Sequence, residues 1–188
     1  MSEPSEHQEE LRKRLWNDEQ GQSNPSELFK QYKLYVGTTD EISNRRMQAN
    51  KFFLTLNTAA LAGLGTFFVY FAMQSALLTS VVIGLASLVG ILMCLVWRRQ
   101  INAYSTVNRA KFEVIGEMEK RLAASPLYAA EWYLLGPGGP YHHKSLTKNE
   151  LLVPNAMIVF YLFVAVVAAI AWQWDQLLSM AQQFLSRM

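Results

Sequence analysis

The chain has 188 residues, of which 51% are hydrophobic and 17% are charged. A net charge of +2 is too small for a nucleic-acid-binding surface, so we expect no nucleic-acid partner. The single cysteine, Cys94, excludes a fold held together by disulfides within the chain.

Residues 1–23 are polar and rich in Glu and Gln, which predicts a mobile amino-terminal extension. Within this extension, Ser5 and Gln8 are spaced to cap a short helix that ends near Trp16. Asn24 is a good N-cap residue, and it marks the start of a cytoplasmic stem helix over residues 24–51. One helical seam follows this stem into the next segment, and its members are Leu28, Tyr32, Tyr35, Thr39, Ile42, Arg46, Ala49 and Phe53.

Three segments are apolar enough to cross a membrane. A bilayer core of about 30 Å requires roughly 20 consecutive apolar residues in a helix. The segments 52–72, 75–97 and 153–174 meet this requirement and contain no charged residue or histidine. We predict three transmembrane helices, the first two forming a hairpin over 52–97 and the third lying within 150–174. Since no signal peptide precedes it, the first span is expected to act as its own insertion signal.

A second cytoplasmic stem helix is predicted over residues 98–124. Its apolar face carries Ile101, Tyr104, Phe112, Ile115, Met118 and Leu122. Both stems span roughly 26 residues, about 39 Å as helix. Because the hairpin makes the two spans neighbours, we expect the two stems to pack antiparallel.

Residues 125–149 predict a cytoplasmic loop region with a short amphipathic helix over 127–135. The run 136–140, which contains only Gly and Pro, excludes regular structure there. Thr147 and Glu150 form a capping box that opens the third helix. Residues 175–188 predict an external helix lying on the outer leaflet.

The distribution of Lys and Arg predicts the orientation of the chain. Eight of these cations precede the first span, eight lie between the second and third spans, and only Arg187 follows the third span. This asymmetry predicts a multi-pass protein with a cytoplasmic amino terminus and a periplasmic carboxyl terminus.

Motifs for enzymatic chemistry are missing from the sequence. His142 and His143 are the one paired candidate for metal ligation, but adjacent residues point apart and no cysteine supports them. A solvated loop is the better interpretation. With no phosphate-binding glycine loop and no Ser-His-Asp pattern, we expect no catalytic residue, no metal, no cofactor and no enzyme.

Polar side chains are sparse within the predicted spans, and none of them is ionisable, which argues against a proton-coupled or ion-coupled transporter. Asn57, followed by Thr58, is the one strongly polar side chain well within the first two turns of a span, and Asn155 is a further polar residue in the third span. Two interpretations are open. Asn57 forms an interhelical hydrogen bond that specifies packing, or it lines a pore in an oligomer.

Small residues four positions apart predict close helix packing, within the hairpin or between subunits. The pairs are Ala59 with Gly63, Ala62 with Thr66, Ser80 with Gly84, and Ala86 with Gly90. Five basic residues at the cytoplasmic interface are expected to contact anionic lipids in preference to a specific ligand. They are Arg45, Arg46, Lys51, Arg98 and Arg99.

Two blocks of sequence resemble a known family. The first contains YKLY at 32–35, ISNRR at 42–46 and a run ending in KFFLTLNT at 51–58. The second contains residues 97–104, NRAKF at 108–112 and AEW at 130–132. Over about residues 28–175 the chain is similar to the RipA-like family of bacterial octameric membrane proteins. The resemblance implies an octamer in the bacterial inner membrane, without an assigned enzymatic activity and without catalytic residues to carry over.

The sequence therefore predicts an all-α membrane protein whose partners are the lipid bilayer and copies of itself. The favoured role is a non-enzymatic scaffold or sensor in envelope or stress adaptation. The alternative is a pore-forming or channel-like effector, because the layout also resembles two-span effector modules of bacterial conflict systems, whose proposed task is membrane permeabilisation.

Overall fold

The structure is a computed structural model that describes residues 6–17, 24–71, 76–136, 138–141 and 146–187. These described residues are helical almost throughout and include no strand. The helices are α1 (Glu6–Leu15), α2 (Pro25–Phe71), α3 (Ala76–Glu119), a π-helical turn (Pro126–Glu131), α4 (Trp132–Leu135) and α5 (Leu146–Leu185).

The chain divides into two compact units. The first, the stem unit, comprises Met1–Arg46 and Asn102–Leu146. The second, the apolar unit, comprises Met47–Ile101 and Thr147–Met188. Both α2 and α3 contribute residues to each unit, so each unit is described by its own contacts.

In the stem unit, the parts of α2 and α3 that contact each other run antiparallel. The Tyr32 hydroxyl donates to Glu119 Oε1 at 2.9 Å, and farther along α2 the Lys111 ammonium donates to the Thr38 hydroxyl. The predicted start of α2 agrees with the structure, since Asn24 Oδ1 accepts a hydrogen bond from Ser26 N at 3.1 Å. All eight predicted seam residues of α2 are buried or half-buried.

The short helix α1 contacts α3 through two side-chain pairs, and a third pair joins the residues that follow the two helices. Arg12 Nε donates to Glu117 Oε2 at 2.9 Å, and His7 lies 3.2 Å from Glu113. The Arg121 guanidinium lies 3.5 Å from the centre of the Trp16 ring. The short helix was predicted, but these contacts were not. The predicted mobility of residues 1–23 remains a prediction, because residues 1–5 and 18–23 lie outside the described residues.

The second stem helix ends at Glu119, five residues before its predicted end at 124. The physical reason is that the Glu119 carboxylate accepts hydrogen bonds from Leu127 N at 3.1 Å and Tyr128 N at 2.9 Å. These bonds draw the following segment back towards the helix end. Residues 126–135 are helical, as predicted, but their first turn is the wider π form.

The apolar unit includes the three segments that the sequence predicts to span the membrane, 52–72, 75–97 and 153–174. Among the described residues, three helices are long and apolar enough to cross a membrane: Pro25–Tyr70, Leu77–Glu119 and Thr147–Leu185. Only 11%, 28% and 17% of their most apolar windows are buried within the chain, so most of this surface is free to contact lipid or other subunits. Phe53, Trp97 and Ile101 form its buried cluster, with Leu151 and Met157 packed against them.

The third apolar helix is longer than predicted at both ends. It already includes Leu146, so the predicted capping residue Thr147 lies within its first turn. It then continues without a break to Leu185, whereas the sequence predicted a separate interfacial helix after 174. No Gly or Pro occurs between Pro154 and Leu185, and nothing in that segment favours a helix end. Its 40 residues extend about 60 Å.

Candidate functional site

Asn57 is fully buried in the apolar unit and contacts all three of its long helices. Its Nδ2 donates to Phe53 O on its own helix at 2.8 Å. Its Oδ1 accepts from Tyr161 of α5 at 3.3 Å and from Cys94 of α3 at 3.4 Å, the sulfur contact being the weaker hydrogen bond. The amide therefore holds α2, α3 and α5 to one another at a single point.

A second polar connection of the same three helices runs through Asn50. Trp97 Nε1 of α3 donates to Asn50 Oδ1 at 2.8 Å, and Asn50 Nδ2 donates to Glu150 Oε2 of α5 at 3.2 Å. The Trp97 ring also stacks on Phe53, with ring centres 5.8 Å apart. These polar and aromatic contacts around Asn50 fix the positions of α2, α3 and α5 relative to one another.

One predicted small residue allows an unusually close helix approach. A Cβ atom built on Gly90 would lie 2.4 Å from the Tyr161 ring, so α5 packs directly on the α3 backbone there. Ser80 acts differently, since its hydroxyl donates to Ala168 O of α5 at 3.1 Å. By contrast, Gly63 and Gly84 have open space beside them within the chain. Ala59 is exposed and Ala86 is partly exposed.

The remaining predicted residues lie at or near the surface of the chain. Thr58 is exposed and donates to Leu54 O at 2.8 Å, an ordinary bond within the helix. Arg45 is exposed and pairs with Glu41 on its own helix. Arg46 and Arg98 are partly exposed, whereas Lys51 and Arg99 are exposed. Their predicted contact with anionic lipid stays a prediction.

Glu119 is the buried polar centre of the stem unit, and sequence reasoning missed it. Its carboxylate accepts from Tyr32 and from the Leu127 and Tyr128 amides, and Oε2 also accepts from Ser125 Oγ at 2.6 Å. Burial raises the pKa of Glu119, but these hydrogen bonds outweigh burial and leave the pKa below its ordinary value. The carboxylate joins α2, α3 and the π-helical turn.

Glu117 shares the buried end of α3, and burial likewise opposes ionisation there. Lys120 and Arg12 both donate to its carboxylate, and their effect exceeds that of burial, so the pKa of Glu117 is also lowered. The sequence carried a weak signal for these two positions. Glu117 and Glu119 stand on either side of Met118, one of the apolar residues of the predicted face, at the very end of α3.

A cleft of about 520 Å³ opens between the three long helices of the apolar unit. Its lining is apolar apart from Thr79 and Ser80, and it includes Leu64, Phe68 and Val167. This lining contains no carboxylate, histidine or lysine that could act as a general acid or base. No group of three metal-ligating side chains occurs among the described residues, and the predicted ligand candidates His142 and His143 lie outside them.

These features define an all-helical membrane protein whose buried polar side chains connect its helices. The chain belongs to the octameric membrane protein family (8xMP), which it matches over residues 29–170. This confirms the resemblance found in the sequence, and it implies self-association in a membrane. Comparisons with curated proteins and with solved structures found no significant match.

Proposed function

We propose that this protein is a non-enzymatic, oligomeric scaffold or sensor of the bacterial inner membrane that acts in envelope or stress adaptation. The observation that carries the proposal is the complete burial of Asn57 among helices of its own chain. Asn57, the strongly polar group of the first span, is engaged in holding one subunit together, and a ring of Asn57 side chains would not face water.

The physical argument rests on where the amide hydrogen bonds go. A residue that lines an aqueous pore keeps its polar atoms accessible to water and ions. Both polar atoms of Asn57 instead contact Phe53, Cys94 and Tyr161. Interhelical bonds of this kind are worth about 1 kcal/mol each in a membrane, enough to select one packing arrangement among several.

The orientation belongs to the same proposal. The cation asymmetry supports a cytoplasmic amino terminus, a hairpin of the first two spans with antiparallel cytoplasmic stems, and a periplasmic carboxyl terminus. A reporter that is active only outside the cytoplasm should be silent when fused after Gln22 or Gly139 and active after Met188. Activity at Gly139 would refute this orientation.

Ion flux and native mass measured on two variants test the role of the assembly. Asn57→Leu should destabilise the protein by about 2 kcal/mol, because Tyr161 and Cys94 lose their acceptor. Thr58→Val is the matched control, since Thr58 is adjacent but exposed. In reconstituted vesicles the unmodified protein should conduct no ions. The ion flux through either variant should equal that of the unmodified protein.

The alternative, a channel-like effector, predicts the opposite outcome. Steady ion conductance by the unmodified oligomer, altered by Thr58→Val or Asn57→Leu without loss of assembly, would favour a pore and defeat the scaffold proposal. A monomer in lipid would defeat both. If the scaffold role is correct, growth under envelope stress should depend on an assembly-competent chain.

A further inference from the structure

The stem unit exposes a cluster of large apolar side chains on the segment after α3. Trp132 is 64% exposed, Tyr133 75% and Tyr141 66%, and Leu134 and Leu135 are also exposed. We call these five residues the aromatic face. Lipid cannot cover them in the way that it covers the apolar unit if, as proposed, the stem unit lies in the cytoplasm. Exposed apolar surface of this kind marks interaction sites.

The surface beside these residues is concave and held in shape. A cavity of about 460 Å³ is lined by Tyr128, Ala129, Trp132, Tyr133, Gly138 and Gly139. Gly138 has a φ of +83°, and a Cβ atom on Gly139 would lie 2.5 Å from the backbone oxygens of Tyr133 and Leu134. Glycine is therefore required at both positions for the chain to turn back against α4.

Hydrogen bonds hold this surface in shape and connect it to the end of α3. Tyr141 N donates to Leu134 O at 3.0 Å, and Gly139 N donates to Gly136 O at 2.9 Å. At its other end, the π-helical turn is held by the Glu119 carboxylate. A pre-formed concave surface loses little conformational entropy when a partner binds.

Exposed aromatic residues commonly contact either a membrane surface or another protein, and the charge of the surrounding sequence distinguishes these two partners. Between Arg121 and Lys144 the sequence contains no Lys or Arg, and Glu131 is its only charged residue. Helices that lie on a membrane surface are rich in Lys and Arg, which attract anionic lipid. Protein interfaces are instead enriched in Trp and Tyr and depleted in charge at their centre. The charge pattern therefore favours a protein partner.

We infer that the aromatic face is a subunit interface that docks onto a second copy of this chain. The family match supplies the partner, because it implies self-association in a membrane. In a ring of more than two subunits each interface joins two different surfaces, so in such a ring the aromatic face contacts a different region of its neighbour. The inference rests on the proposed function for the oligomer, and it assigns part of the assembly contact to the stem unit.

Native mass measurements in lipid nanodiscs test this inference with one matched pair of variants. Trp132→Ala should raise the concentration at which half of the oligomer dissociates by at least tenfold, as expected for a central interface tryptophan. Trp174→Ala is the control, because Trp174 is equally exposed, at 65%, but lies in the apolar unit. It should leave that concentration within twofold of the unmodified value. Helical content by circular dichroism confirms that both variants fold.

An oligomer of normal stability in Trp132→Ala would overturn the inference while leaving the proposed function intact. A monomeric unmodified protein would instead refute the oligomer itself. A fluorescent label at Tyr133→Cys identifies the competing partner. Quenching by a lipid-borne quencher would place the face on the membrane and refute the interface, whereas protection from a water-soluble quencher only in the oligomer is the expected result.

Discussion

The two units of the molecule bury different kinds of polar side chain. In the stem unit the Glu119 carboxylate is 1% exposed, and in the apolar unit the Asn57 amide is 0% exposed. Each joins three segments of chain by accepting hydrogen bonds. Glu119 carries a charge that four donors stabilise, whereas Asn57 is neutral and is held by one carbonyl and two weak donors.

The difference follows from the surroundings of each unit. Burying a carboxylate is costly, and it is tolerated where backbone and hydroxyl donors replace the lost water. Within a span, an ionised side chain has neither water nor enough donors, so a neutral amide is the strongest polar group that fits at moderate cost. The comparison indicates that a buried charged group holds the stem unit together, whereas close packing of helices holds the apolar unit together.

Loss of the Glu119 carboxylate should have the largest effect. Glu119→Ala leaves the Leu127 and Tyr128 amides and two hydroxyls without their acceptor, and should destabilise the stem unit by about 3 kcal/mol. Hydrogen exchange in residues 119–135 should accelerate, while exchange in the spans should hardly change. Asp40→Ala, at an exposed acidic position, is the control. If both substitutions destabilised the stem unit equally, burial of the Glu119 carboxylate would not explain its contribution to stability.

Gly90→Ala tests whether close packing of helices holds the apolar unit together. The new methyl group would overlap the Tyr161 ring, and overpacking of this kind should cost about 2 kcal/mol of stability. Gly63→Ala is the matched control, since the space beside Gly63 is open within the chain. Thermal unfolding in detergent measures both. A fall in oligomer mass for Gly63→Ala alone would place Gly63 at a contact between subunits.

Acid should weaken the stem unit selectively. The pKa of Glu119 is lower in the folded chain than its ordinary value of 4.5, so its stabilising effect is complete above that value. The effect is lost as pH falls through the lower native pKa, and Glu117 acts in the same direction. The difference in unfolding temperature between the unmodified protein and Glu119→Gln should therefore shrink below about pH 4.5. A constant difference would contradict a charged Glu119.

High pH should weaken the hydrogen bond from the Tyr32 hydroxyl to Glu119, because it removes the proton that Tyr32 donates. Burial, together with Glu119, raises the pKa of Tyr32 to about 12. The stabilising effect is therefore complete below the ordinary value of 10 and is lost as pH rises towards 12. Ultraviolet titration should show a tyrosine in this range that disappears in Tyr32→Phe. Its persistence would assign the titration to another residue.

The smallest effect on stability is expected from loss of the ion pair between Arg12 of α1 and Glu117 of α3. Arg12 is 45% exposed, so Arg12→Ala should cost at most about 1 kcal/mol, and less at high salt. Exchange of the α1 amides should rise on substitution and on raising the salt concentration. Lys13→Ala, in the same helix, is the control. Insensitivity to salt would mean that the ion pairs do not hold α1 in place.

Much of the fold was predictable because its signals are local. Apolar segments of membrane length, the Asn24 cap and the seam of α2 each depend on neighbouring residues in one helix. The family was recognisable for the same reason, since most residues of its two blocks lie along α2 and α3. Asn57 could be singled out as the strongly polar residue of its span, but its two interpretations could not be separated without knowing which side chains surround it.

The sequence by itself determined which segments are helical and apolar, because helix periodicity and hydropathy are properties of consecutive residues. Only the tertiary structure decided which buried groups meet. Tyr161 lies 104 residues from Asn57, and Tyr32 lies 87 residues from Glu119. The early end of α3 has the same origin, since a carboxylate that accepts from residues eight and nine positions later stabilises a turn that helix propensity does not encode. Contacts between distant residues depend on how helices pack, and that is a property of the whole chain.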